Sequence, residues 1–148
     1  MVYGLEYCTN LNILLAYDGS SPADHALETV LERFDPDVVT ALYVFDPSEA
    51  GYDAPDPFGS DGELDDIATE RAVEVLSAVE ETVPDDIEVR TVHEVGAASR
   101  GIVRRAEAEE IEHVAIGSHG RDGVSRLLLG SVAETVVRRS PVPVTVVR

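Results

Sequence analysis

Two short stretches of this chain gather residues of the kind that hold an anionic ligand. One reads Tyr17-Asp18-Gly19-Ser20-Ser21. The other runs Gly117-Ser118-His119-Gly120-Arg121-Asp122-Gly123 and continues through Val124 to Leu129 into Gly130-Ser131. Glycine at 117 and 120 lets a ligand approach the backbone, because no side chain stands in the way. Gly130 and Ser131 fit the opening of a helix, whose first amides have no partner of their own and carry the positive end of its dipole. Such amides bind phosphate without lysine, which matters in a chain whose 11 basic residues are all arginine. The same residue types also have plainer uses. Asp18-Gly19-Ser20 is a common turn leading into a helix, and Arg121 and Arg126 could meet a phosphate or pair with carboxylates.

Machinery for fast chemistry is missing. The sequence has no Gly-x-x-x-x-Gly-Lys-Ser/Thr loop, no His-Glu-x-x-His, no Gly-x-Ser-x-Gly elbow and no cysteine pair for zinc. His25, His93, His113 and His119 fall on different elements, with no base beside a nucleophile. His93 and His113 read as structural or rim residues. The single cysteine, Cys8, cannot form an internal disulfide.

The elements that must position these loops follow from the apolar pattern. Leu11 to Tyr17, Val38 to Phe45, Ile87 to His93, His113 to Gly117 and Val142 to Val147 are short runs suited to buried strands. Between them apolar residues recur at helical spacing: Ala26, Leu27, Val30 and Leu31; Ile67, Ala68, Val73, Leu76 and Val79; Ile102, Val103 and Ala106; Val132, Val136 and Val137. Alternating strands and helices predict a doubly wound, Rossmann-like α/β domain, a three-layer α/β/α sandwich on a five-stranded parallel sheet. Ser20-Ser21-Pro22 marks a helix start, and Ser99 and Ser131 are the expected caps of the last two helices. Residues 46–63, rich in Pro, Gly and Asp, are expected to form a mobile acidic loop, either a surface excursion or a flap near the strand ends. Pro143 places the last strand at a sheet edge.

One domain over residues 1–148, with 1–10 as an N-terminal extension, suits the length, and 44% hydrophobic residues supply a core. The opening ten residues lack a basic start and an apolar signal core, and no run is long enough to span a membrane, so a cytoplasmic location is expected. With 29 acidic residues and a net charge of -18, the chain would repel a phosphate backbone, which argues against nucleic acid as a partner. The carboxylates are spread along the whole chain. Acidity without lysine suits solubility in concentrated salt, where repulsion is screened over roughly 3 Å.

Gly117-x2-Gly120-x9-Gly130-Ser131 resembles the nucleotide-binding signature of the universal stress protein family. The likeness extends through LLAYDGS, ALYVFD, AIGSHGRDGVSRLLLGSVAETVVRRS and the closing PVPVTVV. It implies the family's adenine nucleotide alpha hydrolase-like sheet, in order 3-2-1-4-5, which sets strands one and four side by side so that the two loops face one another. It also implies a cytoplasmic homodimer paired through strand 142–147, acting in stress response as an ATP-binding module. Any Mg²⁺ or Mn²⁺ would be held through the phosphates. Carried over to this sequence, Ala16, Tyr17 and Asp18 wall the nucleoside, and Val44 lines the adenine pocket. Ile116, Gly117, His119 and Gly120 border ribose and phosphates, and Gly130, Ser131, Val132 and Ala133 cradle the phosphates. Ala133 stands where a hydroxyl residue is frequent, so one phosphate contact is missing. Two other readings remain open: a slow metal-dependent ATPase in the same pocket, with Asp18 acting through the metal, and an interaction protein that uses no nucleotide.

Overall fold

A computed structural model describes residues 10–51, 61–108, 110–119 and 129–148. Its elements are β1 (Asn12–Ala16), α1 (Ser21–Arg33), β2 (Val38–Phe45), α2 (Asp61–Thr82), β3 (Glu88–Val95), α3 (Ala98–Ala106), β4 (His113–Gly117), α4 (Ser131–Arg139) and β5 (Val144–Val147). The five strands form one parallel sheet in the order β3-β2-β1-β4-β5. The order expected from the resemblance is therefore the one found, and β1 and β4 are neighbours.

Alternation along the strands sends successive side chains to opposite faces. Ile13, Leu15 and Tyr17 join the core under α1 and α2, with Ala26, Leu27, Val30, Leu76 and Val79. Leu14 and Ala16 turn to the core under α3 and α4, with Ile102, Val114, Ile116, Ala133 and Val136. Because both faces are covered, β1 and β2 are apolar almost throughout, whereas at the edges β3 mixes exposed and half-buried residues and β5 is half-buried. One polar pair survives in the centre, where Thr40 Oγ1 donates to Asn12 Oδ1 across 2.8 Å. Leu14 is 0% exposed, and truncating such a residue to alanine costs about 2–5 kcal/mol.

Several boundaries differ from the sequence expectation. The cap of α1 is Ser20 as expected, its side chain accepting from the Ala23 amide at 3.3 Å. The cap of α3 is Ala97, and that of α4 is Gly130, neither with a side-chain cap bond. Ser99 and Ser131 thus lie inside their helices. Caps occur where the backbone turns from extended to helical, and here that turn comes before each serine. Val73 and Val137 keep helical spacing but sit on the outer flank of their helices, 67% and 46% exposed. β3 extends to Val95, two residues beyond the expected end, and β5 starts at Val144, two residues later than expected.

The expected loop over 46–63 is shorter, since α2 begins at Asp61. Its first turn is ordered by Asp46, whose Oδ1 accepts from the Ser48 amide at 2.9 Å. Residues 52–60, and 1–9 of the expected extension with Cys8, lie outside the described residues. Among the described residues no helix is long and apolar enough to cross a membrane.

Candidate functional site

The sheet order reverses between β1 and β4. α1 leaves β1 on one face and α4 follows β4 on the other, so the loops beyond these two strands part and leave a crevice, the usual ligand position in an open α/β sheet.

Gly117 ends β4 with the first turn of α1 resting on it. A Cβ at Gly117 would lie 2.7 Å from Pro22 Cβ, 2.8 Å from its carbonyl carbon and 2.9 Å from its carbonyl oxygen. The expectation that this glycine clears space for a ligand needs correction. The position is closed to a side chain by the chain's own backbone.

Ser118 follows, 5% exposed, with its amide donating to the Val147 carbonyl at 2.7 Å. Its own carbonyl accepts from the Gly130 amide at 2.7 Å, and a Cβ on Gly130 would lie 2.9 Å from that oxygen. Residues 118 and 130 therefore clamp the two stems of the glycine loop together. Glycine at 130 is what allows so close an approach. Gly120, Arg121 and Arg126, within that loop, lie outside the described residues.

Beyond the clamp α4 opens without a side-chain cap. Gly130 is extended, at φ -61° and ψ 153°, and its carbonyl accepts from the Glu134 amide at 2.9 Å. The amides of Ser131, Val132 and Ala133 precede the first internal helical bond and have no acceptor among the described residues. Ser131 is exposed, while Ala133 is 2% exposed and fixes the turn to the core. Free amides at the positive end of a helix dipole are the groups that an anion can engage.

Ala16, Val44, Ile116, Val132 and Ala133 belong to one cluster, on the α3/α4 face. Five of the expected residues thus share one apolar cluster, Ile116 and Ala133 buried within it and Ala16, Val44 and Val132 packed against it. Asp18 is half-buried at the end of β1, its Oδ1 accepting from the Ser20 amide at 2.9 Å, and His119 is half-buried after β4.

Tyr17 is different. Its ring is 4% exposed in the opposite core, and its hydroxyl donates to Asp24 Oδ1 at 2.5 Å. Burial, then the bond to Asp24 and the charges of Asp24 and Asp18, push the phenol far above its usual range. With Gly19, Asp24, Arg71, Glu74, Val75 and Ala78 it lines a depression of about 370 Å³ between α1 and α2. Its side chain cannot wall a nucleoside in the crevice, because it lies on the other side of the sheet.

Glu94 escaped the sequence reading. It is 15% exposed, accepts from Arg104 Nη2 at 2.5 Å and Arg105 Nη2 at 3.3 Å, and sits beside Val44 in register. No spacing in the sequence announces it, since its partners are ten and eleven residues away on the following helix. His113 packs its ring against Phe34, with centroids 4.9 Å apart, and its Nε2 lies 2.7 Å from Thr145 Oγ1. Burial lowers its pKa, in keeping with a structural role. Among the described residues no group of three or more His, Cys, Asp or Glu is placed to hold a metal ion.

Comparison with known proteins points one way. Residues 9–148 match the model of the universal stress protein family. Universal stress protein MJ0531 of Methanocaldococcus jannaschii is 32% identical over 142 residues, covering 92% of this chain and 81% of the relative. The solved structure of hypothetical protein MJ0577, described as a structure-based assignment of its biochemical function, is 30% identical, with a TM-score of 0.76 over 94% of this chain and 96% of that one. A universal stress protein family protein of Arabidopsis thaliana, solved with AMP bound, shares the fold at a TM-score of 0.64 and 14% identity, covering 93% of this chain and 90% of that one.

Proposed function

The chain belongs to the universal stress protein family, and on that premise we propose that it is an ATP-binding module whose nucleotide lies in the crevice between the β1 and β4 loops. The phosphates meet the amides of Ser131, Val132 and Ala133, with any divalent cation held through them. The ribose passes Asp18 and Gly117, and the base lies against Val44. The observation that carries this reading is the uncapped start of α4, held beside β4 by the bond between Gly130 and Ser118. AMP bound by the Arabidopsis protein supports a nucleotide on this scaffold. Occupancy of the crevice is the signal the module passes on in the cytoplasm.

Ser131→Asp tests the reading. The side chain is exposed at the first helical position, so a carboxylate there complements the helix dipole and leaves the core untouched. The same charge opposes bound phosphate. Calorimetric titration should show ATP affinity reduced roughly tenfold or more, about 1.4 kcal/mol, in a variant no less stable than the parent. Unchanged affinity would remove the phosphates from α4.

The module works as a homodimer in this reading, through residues 142–147. β5 ends the sheet and all four of its residues are only half-buried in the single chain, so its open edge calls for cover. Light scattering should give twice the chain mass, and Val144→Asp with Val146→Asp should yield monomers or insoluble chains. A monomeric parent protein would refute the pairing.

A further inference from the structure

Val44 and Glu94 are register partners on β2 and β3, so both side chains leave the sheet on the same face. α3 brings them together at Gly101, where a Cβ would lie 3.0 Å from Val44 Cγ2 and 3.1 Å from Glu94 Oε2. The carboxylate, 15% exposed, is gripped by Arg104 at Oε2 and by Arg105 at Oε1. Two guanidinium groups on one carboxylate is an unusual allotment in a chain with 29 acidic residues and 11 arginines. Arg105 even leaves its Nε buried without a partner while its Nη2 reaches Glu94. The arrangement fixes the carboxylate without exhausting it, because two ionised oxygens offer about four acceptor positions and the chain fills one on each.

A nucleotide with phosphates at the start of α4 must run along the strand ends. Neighbouring strands lie about 4.8 Å apart, which puts the end of β2 roughly 10 Å and that of β3 roughly 14 Å from β4. The base therefore arrives where Val44 offers an apolar surface and Glu94 an acceptor. Resting on the nucleotide reading above, we infer that Glu94 is the base-selecting residue of the crevice, accepting a hydrogen bond from the exocyclic amine of adenine, with Arg104 and Arg105 as positioning residues. Adenine presents an amine donor where 6-oxopurines such as guanine present an acceptor. A carbonyl facing the fixed carboxylate sets acceptor against acceptor, and leaving such groups unpaired is how a hydrogen-bonding site rejects a near-isostere.

The probes are ATP and inosine triphosphate, which differ at that purine position, titrated into the full chain. The parent protein should bind ATP at least tenfold more tightly, and Glu94→Gln, whose amide can both donate and accept, should reduce the ratio to below threefold. Should Glu94→Gln fail to fold, Arg104→Gln, altering a side chain 66% exposed, should still lower the ratio about threefold by loosening the carboxylate. A ratio unchanged in the folded variant would overturn the assignment while nucleotide binding stands. No binding of either nucleotide by the parent would overturn both.

Discussion

α1 and α4 start at the same end of the sheet, behind the neighbouring strands β1 and β4, and they are finished in opposite ways. At α1 the chain satisfies itself. Ser20 caps Ala23, Asp18 accepts from the Ser20 amide, Pro22 occupies the first turn, and Tyr17 is tied to Asp24. At α4 glycine stands in the capping position and the following amides have no acceptor among the described residues. An unmade cap typically forgoes about 1 kcal/mol. The sealed start is a structural joint, and in the proposed reading a ligand completes the open one. α3 also lacks a side-chain cap, so an open start alone marks nothing. What sets α4 apart is its place at the strand-order reversal, with its loop stems clamped.

The α1 start and the stem of the α4 loop touch at Gly117, where a substitution should have the largest effect. Gly117→Val would force a branched side chain into Pro22 backbone at 2.8–2.9 Å, and overpacking of this kind costs about 1–3 kcal/mol, with rigid backbone as the obstacle placing this case at the upper end. Urea denaturation should show a strongly destabilised or unfolded chain, so loss of ATP binding in this variant would report on folding. A native midpoint would mean that α1 and β4 can part.

Next come the ties of the sealed start. Ser20→Ala should cost about 1 kcal/mol and leave ATP affinity unchanged, and a large fall in affinity there would erase the distinction between the two starts. Tyr17→Phe should cost a similar amount, about 1 kcal/mol for the lost hydrogen bond, and should also change the alkaline limb of stability. The Tyr17 phenol is raised from its ordinary 10.0, first by burial and then by Asp24. Below that pH the folded and unfolded chains are both protonated and the stability is fully present. Above it the unfolded chain ionises while the folded one keeps its proton, so stability falls as pH rises. Urea midpoints measured from neutral pH to above pH 10 should fall less steeply for Tyr17→Phe, and parallel curves would put the raised phenol elsewhere.

The smallest effect on stability belongs to the open start. Ser131→Asp should stabilise the fold by about 0.3–1 kcal/mol through the dipole, the reverse of its effect on ATP. Thermal melts without nucleotide would read it, and a marked loss of stability would mean that the α4 amides already have partners.

How much of this was legible in the sequence depended on how local each signal was. Alternating runs and the Ser20-Ser21-Pro22 start gave element type and the α1 cap, because periodicity and capping act over a few residues. Val73 and Val137 show the limit, since helical spacing fixes a phase only when the neighbouring elements are known. Among the site residues, Ala16, Val44, Ile116, Val132 and Ala133 share one apolar cluster on the α3/α4 face. Tyr17 went to the other face because strand alternation assigns consecutive residues to opposite sides. The reason for Gly117 was hidden, since Pro22 lies 95 positions earlier in the chain. Glu94 was hidden likewise, its meaning depending on the register of β2 with β3 and on the approach of α3.

The clamp at Ser118 and Gly130 also divides the chain by the rate at which its amide hydrogens exchange with water. The Ser118 amide, bonded to Val147, and the Gly130 amide, bonded to Ser118, open only when the end of the sheet opens. The next amide, that of Ser131, has no such bond and needs no opening event, and the same holds for Val132 and Ala133. Slow and fast exchange therefore meet within a single peptide unit, between residues 130 and 131, and a phosphate seated on α4 would slow those three amides and join the clamp to the helix, whose next amide, that of Glu134, is already bonded to the Gly130 carbonyl.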